Sequence, residues 1–350
     1  MKKVLALVLT LALLLSVVGT AMAASKVGVA MPTQSLQRWN QDGAYMKEKL
    51  EEAGYEVDLQ YANNEVATQV SQIETMLLNG CEVLVIASID GSALGTVLAT
   101  AADMDVPVIA YDRLLTATPD VSYYTTFDNY GVGTIQGTYL KDAFDLDNAA
   151  GPFNMEIFCG DPGDNNAGLF FQGAIDVLQP YIDSGVIVIP SGQVEFEQCA
   201  TADWDSANAQ SRMDNLIAAY YTGDTKLDMV LCSNDSTALG VTNSLIAAGF
   251  DLDNFPVITG QDCDKANTMN MIAGYQAMSV FKDTRTLAEQ TVAMVSDILA
   301  GVEPETNATY NNGVFDVPSY NCTPVFANAD NYEELLIDSG YYSKADLGLE

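Results

Sequence analysis

Twice along this 350-residue chain a proline opens a short β-branched run that closes on an aspartate. The first is Val106-Pro107-Val108-Ile109-Ala110-Tyr111-Asp112-Arg113 and the second is Phe255-Pro256-Val257-Ile258-Thr259-Gly260-Gln261-Asp262. Short apolar runs without polar alternation are strands buried on both faces, the condition of a parallel sheet. In open α/β sheets the ligand crevice lies beyond the carboxyl ends of the strands, so each run delivers its aspartate to such an edge. Two strands of one design predict two similar halves. For Asp112 and Arg113 alone, a strand-end ion pair or a cap on the next turn explains the pair equally well.

The neighbouring segments fit the same plan. Spacing predicts strands over 26–32, 55–61 and 83–87, helices over 42–53 and 65–78, and a further helix opening at Asp90 before the Pro107 strand. The second half predicts strands over 152–158, 186–189 and 229–232 and helices over 166–178 and 205–221. A strand over 277–282 and a helix over 284–299 follow. The best internal match is Ser88-Ile89-Asp90-Gly91-Ser92-Ala93-Leu94-Gly95 with Ser233-Asn234-Asp235-Ser236-Thr237-Ala238-Leu239-Gly240. Both read as strand, acidic N-cap, helix, so Asp90 and Asp235 are expected as caps, while Asn234 has no such role. Alternating β and α units predict an α/β class with two doubly wound parallel-sheet lobes. No Gly/Ser linker separates them, so a multi-strand hinge is expected. The expected lobes are 25–130 plus 263–316 and 131–262 plus 317–350.

Lys and Arg number 14 against 47 Asp and Glu, a net charge of −33. A phosphate backbone repels such a chain, which argues against nucleic-acid partners. The absence of histidine removes the usual base of acyl-transfer triads and the commonest zinc ligand. Cys81, Cys159, Cys199, Cys232, Cys263 and Cys322 contain no C-x-x-C pair, so metal clusters and thioredoxin-like redox sites are not expected.

Lys2-Lys3, an apolar run over 4–15 and Ala21-Met22-Ala23 have the layout of a secretory signal peptide, with cleavage expected after Ala23. Its removal deepens the charge to −35, because both lysines leave with it. The apolar run is too short for a stable span. A soluble export to the periplasm is expected, where disulfides are permitted; six cysteines allow fifteen full pairings and the sequence selects none.

One motif points elsewhere. Gly131-Val132-Gly133-Thr134-Ile135-Gln136-Gly137 follows a strand and opens a helix, as a dinucleotide site does, but its spacing is G-x-G-x-x-x-G and no acidic ribose partner follows at about 20 residues. Close helix packing explains those glycines better, and no cofactor is expected.

The remaining polar and aromatic residues fall in loops after strands. Arginine is scarce, which makes Arg38 beside Trp39 informative: a fork of donors next to an apolar plate. Trp204 precedes a helix, where a hydrophobic staple is an equal reading. With Asp112, Arg113, Asp164, Asn166, Asn234 and Asp262 they supply carboxylates, carboxamides, guanidinium groups and two indoles to one cleft. Vicinal hydroxyls of a monosaccharide need paired donors and acceptors, and its C–H face lies on an aromatic ring.

Across nearly the whole mature chain the sequence resembles the periplasmic sugar-binding proteins of ABC importers, of the type I fold. The likeness is strongest to multiple-monosaccharide-binding receptors related to the xylose-binding and galactose/glucose-binding proteins. It is carried by Ala30-Met31-Pro32-Thr33 with Arg38-Trp39, by Val85-Ile86-Ala87-Ser88-Ile89-Asp90-Gly91, and by Val108-Ile109-Ala110-Tyr111-Asp112-Arg113-Leu114. Asp164-Asn165-Asn166-Ala167, Gly260-Gln261-Asp262 and Phe281-Lys282-Asp283-Thr284-Arg285 complete it. The resemblance implies that Arg38, Asp112 and Arg113 bind sugar hydroxyls from one lobe, with Lys282 at its strand end. Asn166 with Asp164, and Asn234, then come from the other lobe, and Asp262 from the hinge side; Trp39 and Trp204 sandwich the ring. Phe170 stands where galactose/glucose-binding relatives carry an arginine. Their calcium loop has no D-x-D-x-D-G counterpart here, so no structural metal is expected.

The expectation is therefore a monomeric receptor for an aldose that closes by hinge motion and serves a membrane permease, with a chemoreceptor or sensor kinase as a second audience. The rivals are an exported sugar hydrolase using Asp112 and Asp262 as paired carboxylates, a ligand-sensing regulator core of the same fold, and a receptor confined to pentoses or furanose-like signals.

Overall fold

The computed structural model describes residues 24–223 and 225–349. The signal peptide expected over 1–23 lies outside the described residues. Two sheets organise the chain. The first holds β1 (Lys26–Met31), β2 (Glu56–Tyr61), β3 (Val83–Ile86), β4 (Val108–Tyr111), β5 (Tyr123–Phe127), β11 (Ala308–Asn311) and β12 (Asp316–Cys322), in the order β11-β12-β5-β4-β3-β1-β2. All pairs are parallel except β11 with β12. The second holds β6 (Phe153–Phe158), β7 (Ile187–Val188), β8 (Met229–Cys232) and β9 (Val257–Ile258), in the order β7-β6-β8-β9, all parallel.

Parallel strands this apolar need cover on both faces. Every residue of β3 and β4 is buried. The helices α1 (Gln37–Glu52), α2 (Val66–Leu78) and α3 (Gly95–Asp103) follow β1, β2 and β3. On one face of the first sheet Leu84, Ile86 and Ala110 pack with Ile73 and Leu98; on the other, Val83, Val85 and Ile109 pack with Met46 and Leu50. At about 1.5–3 kcal/mol for each fully buried aliphatic side chain, this double coat is what makes the strands cohere. The second sheet repeats the arrangement with α4 (Asn129–Ala143), α5 (Asn165–Asp183), the short α6 (Phe196–Cys199), α7 (Ser206–Tyr220) and α8 (Asp235–Ala247). The expected doubly wound α/β class is what the chain adopts.

The glycines of the dinucleotide-like motif do pack helices. A Cβ on Gly133 would sit 2.0 Å from the Phe170 carbonyl oxygen, and one on Gly137 2.7 Å from that of Ala174, so α4 lies against the backbone of α5.

The chain crosses between the sheets after Phe127, after Phe281 and after Cys322. β10 (Ser279–Phe281) extends the second sheet beyond β9: Val280 N–H donates to the Gly260 carbonyl at 3.0 Å and Asp262 N–H to that of Val280 at 2.9 Å. β13 (Val325–Ala327) pairs antiparallel with β10. The helix α9 (Lys265–Ala273) therefore stands with the second sheet, and α10 (Thr284–Ala300) packs back on α1. This differs from the boundaries expected at 263 and 316. Residues 265–281 join the second sheet, and residues 317–322 join the first, because Ser319 to Cys322 of β12 pair with Tyr124 to Phe127 of β5.

Candidate ligand cleft between the two sheets

One cavity of about 400 Å³, counting its mouth, lies between the carboxyl ends of the two sheets. Its wall includes all ten residues singled out above: Arg38, Trp39, Asp112, Arg113, Asp164, Asn166, Trp204, Asn234, Asp262 and Lys282. Leu36, Phe170, Ser236, Gln261 and Asp264 complete it. Leu36, Ser236, Gln261 and Asp264 carried no sequence signal of their own. Ser236 lies in the repeated octapeptide, and Gln261 and Asp264 flank Asp262, so proximity to those anchors was the available clue.

The local structure differs from the sequence reading in three places. Arg38 and Trp39 occupy the first turn of α1 rather than a loop, because the helix starts at Gln37 with Leu36 in the N-cap position. Asn234, not Asp235, caps α8: its Oδ1 accepts from Thr237 N–H at 2.9 Å, which leaves its Nδ2 for the cavity. Asp235 is the first helical residue, and its carboxylate accepts from Gln276 at 2.9 Å, Ser279 at 3.0 Å and Asp264 N–H at 2.9 Å. Asp90 caps no helix; it closes a turn by accepting from Ser92 N–H at 2.8 Å, since α3 begins only at Gly95.

Arg38 is the electrostatic hub. Its Nε donates to Asp42 Oδ2 at 3.1 Å, Nη2 lies 2.9 Å from Asp112 Oδ1, and Nη1 lies 3.7 Å from Asp262 Oδ1. The Asp112 contact is close but poorly aligned, an ion pair rather than a directed hydrogen bond. Behind the hub, Asp42 accepts from the buried Tyr111 hydroxyl. Burial pushes the Asp42 carboxyl up to about 6 against the pull of Arg38. Burial also pushes Asp112 upward, but Arg38, Lys282 and Arg113 together hold it below the ordinary carboxylate range.

The other cations are likewise held. Arg113 lies 3.1 Å from Asp164 Oδ2 and donates to the Ser88 carbonyl at 3.0 Å. Lys282 Nζ lies 3.0 Å from Asp262 Oδ1. Asp164 doubles as the N-cap of α5, accepting from Asn166 N–H at 2.9 Å, while burial raises its carboxyl. Burial, then the neighbouring Asp262, pushes Asp264 up to about 7.

The two indoles do different work. The Arg38 and Arg113 guanidinium carbons sit 4.5 Å and 5.0 Å from the Trp39 ring centroid, so that ring supports both cations. The Trp204 ring lies against Gly160, where a Cβ would come within 1.9 Å of it, and meets Phe170 edge-on at 6.1 Å. Among the described residues both indole N–H groups are buried without an acceptor, and Gln261 Oε1 and Asp264 Oδ1 are buried without a donor. Three wall residues adopt left-handed backbone: Asp112 (φ 59°), Trp204 (φ 55°) and Asp262 (φ 95°). Such conformations cost of order 1–3 kcal/mol each and persist where surrounding contacts over-determine them.

The walls also touch directly. Asn166 Nδ2 donates to the Asp112 carbonyl at 2.7 Å, and Gly91 N–H donates to the Gly163 carbonyl at 3.2 Å. The cleft thus lies at the carboxyl ends of two linked parallel sheets and is lined from both sides. The sequence model of the periplasmic binding protein domain matches residues 27–303. The chain belongs to the periplasmic binding protein family.

The multiple sugar-binding periplasmic protein SbpA of Azospirillum brasilense is 47% identical over 322 residues, 91% of this chain and 90% of its own length. The D-xylose-binding periplasmic protein of Escherichia coli is 36% identical over 341 residues, 97% of this chain and 98% of its own. Among solved structures, an ABC transporter solute-binding protein from Clostridium phytofermentans with bound β-D-glucose is 62% identical. It superposes with a TM-score of 0.91 over 92% of this chain and 100% of its own.

Proposed function

We propose that the protein is an extracytoplasmic receptor that captures one monosaccharide between its two sheets and delivers it to the membrane permease of an ABC importer. The ligand class is an aldose such as glucose, galactose, arabinose or xylose. One observation carries this reading: a single cavity combines interleaved carboxylates and guanidinium groups with buried donors and acceptors that lack protein partners. Each sugar hydroxyl both donates and accepts, and so matches alternating charges of both signs. The Trp204 ring supplies an apolar plate for the C–H face, with Trp39 behind the cations on the other side. A wrong epimer leaves one or more of these buried groups unpaired, at about 1–3 kcal/mol each. The sugar named in the β-D-glucose complex, and the sugar-binding names of the relatives, support the same ligand class.

Binding without turnover is the reading the charges favour. A glycosidase built on Asp112 and Asp262 needs one carboxyl that holds its proton. Arg38 and its cationic neighbours keep Asp112 below the ordinary range, and both carboxylates lie against the same guanidinium. The receptor acts as a periplasmic monomer after loss of its leader, and a closed form is a signal that a chemoreceptor or sensor kinase can also read.

The test is calorimetric and tryptophan-fluorescence titration with hexoses, pentoses, uronic acids and neutral amino acids. Saturable one-to-one binding of aldoses, with no product formed, is expected. Turnover of a chromogenic glycoside would support the hydrolase instead, and silence across the sugars would overturn the ligand class.

A further inference from the structure

Six cysteines left fifteen full pairings open, and the fold brings just one pair, Cys159 and Cys199, into the same core cluster. β6 and β8 pair in register with Phe158 opposite Cys232, and both side chains pack into the core on one face of the sheet. Side chains alternate along a strand, so Cys159 turns to the opposite face, where Cys199 lies in the same apolar core. Cys159 N–H donates to the Cys199 carbonyl at 2.8 Å, which ties the two residues backbone to backbone, and the Cys199 thiol donates to the Gln193 carbonyl at 3.3 Å. Cys81, Cys322 and Cys263 sit in three other clusters.

We propose that Cys159 and Cys199 form a disulfide when the protein is exposed to an oxidising thiol buffer, and that this bond is a staple behind the Trp204 wall of the cleft. The two thiols give up two protons and two electrons as the sulfur–sulfur bond forms. A small disulfide such as glutathione disulfide accepts them through a mixed disulfide, and its own bond breaks to leave two thiols. The ring that closes runs from the end of β6 through α5 to the end of α6. It holds together the strand end that carries Gly160 and the segment leading to Trp204, which Thr201 N–H already joins to the Gly160 carbonyl at 3.2 Å. Both cysteines are fully buried, so the bond forms during folding and then resists small reductants.

The chain is refolded from urea in a glutathione redox buffer, denatured, alkylated with N-ethylmaleimide and weighed intact, with and without prior reduction. Four adducts before reduction and six after are expected, with peptide mapping that joins Cys159 to Cys199. Complete reduction should lower Tm by about 5 °C or more. In Cys199→Ala, five adducts should appear whether or not reductant is added, and the reductant-dependent Tm shift should vanish. Six adducts without reduction, a crosslink between any other pair, or a lasting mixed disulfide at either residue would overturn the proposal. No sugar enters the measurement, so its failure leaves the ligand reading untouched.

Discussion

On the wall built from the seven-stranded sheet, one guanidinium holds Asp42 and Asp112 and reaches across to Asp262; on the facing wall, Asp164 and Asn234 each spend an oxygen on the helix that bears them. The first wall is held by buried charges whose partners are one another. Its folding and its chemistry are the same contacts, and removing Arg38 leaves Asp42 with the Tyr111 hydroxyl and Asp262 with Lys282 as their remaining partners. The second wall is held by caps worth about 1 kcal/mol each, so its fold survives the loss of a cavity-facing atom.

The largest break in this comparison is Arg38→Ala. It leaves three carboxylates without their shared counter-charge, and urea unfolding should register a loss of about 3–5 kcal/mol. Aldose affinity should fall by about a hundredfold or more in the same protein, and a variant that unfolds normally yet binds weakly would separate what the hub joins. Trp204→Ala comes next: about thirtyfold weaker binding by calorimetry, or ~2 kcal/mol, from loss of the apolar plate.

The titration of stability sharpens the contrast further. Asp42 and Asp264 hold protons up to about 6 and about 7, whereas the unfolded chain releases them near the ordinary carboxylate value. The folded form therefore binds more protons across that interval, and the stabilisation is complete at low pH and is lost as pH rises through 6 and 7. Asp112 has the opposite sign, with its stabilisation lost only as pH falls through its depressed value. Tm should decline by a few degrees between pH 5 and 8, and Asp264→Asn should flatten the upper part of that slope. The smallest effect belongs to the capped wall: Asn234→Ser keeps a capping oxygen and deletes the amide, so affinity should drop about tenfold with Tm nearly unchanged. Asn234→Ala should lose about 1 kcal/mol of stability in addition.

The strands and their carboxyl ends were legible because β-branched runs such as 106–111 and 255–258 report burial on both faces, and loops after such strands converge by topology. What stayed hidden depends on pairing between distant segments. β12 has a proline inside it and no clean alternation, and only its register with β5 assigns it to the first sheet. Asn234 and Asp235 are adjacent, acidic or amide, and equally fit to cap; the helix start decides between them. Asp264 and Gln261 look like turn residues in the sequence, and their unpaired atoms become visible only inside the cavity.

The bond from Gly91 N–H to the Gly163 carbonyl joins the two sides with main chain alone. A Cβ on Gly91 would come within 2.5 Å of the Leu114 carbonyl oxygen, so the position admits little besides glycine. The clasp therefore draws on none of the side chains that line the cavity, and substitutions among those side chains leave its two partners in place.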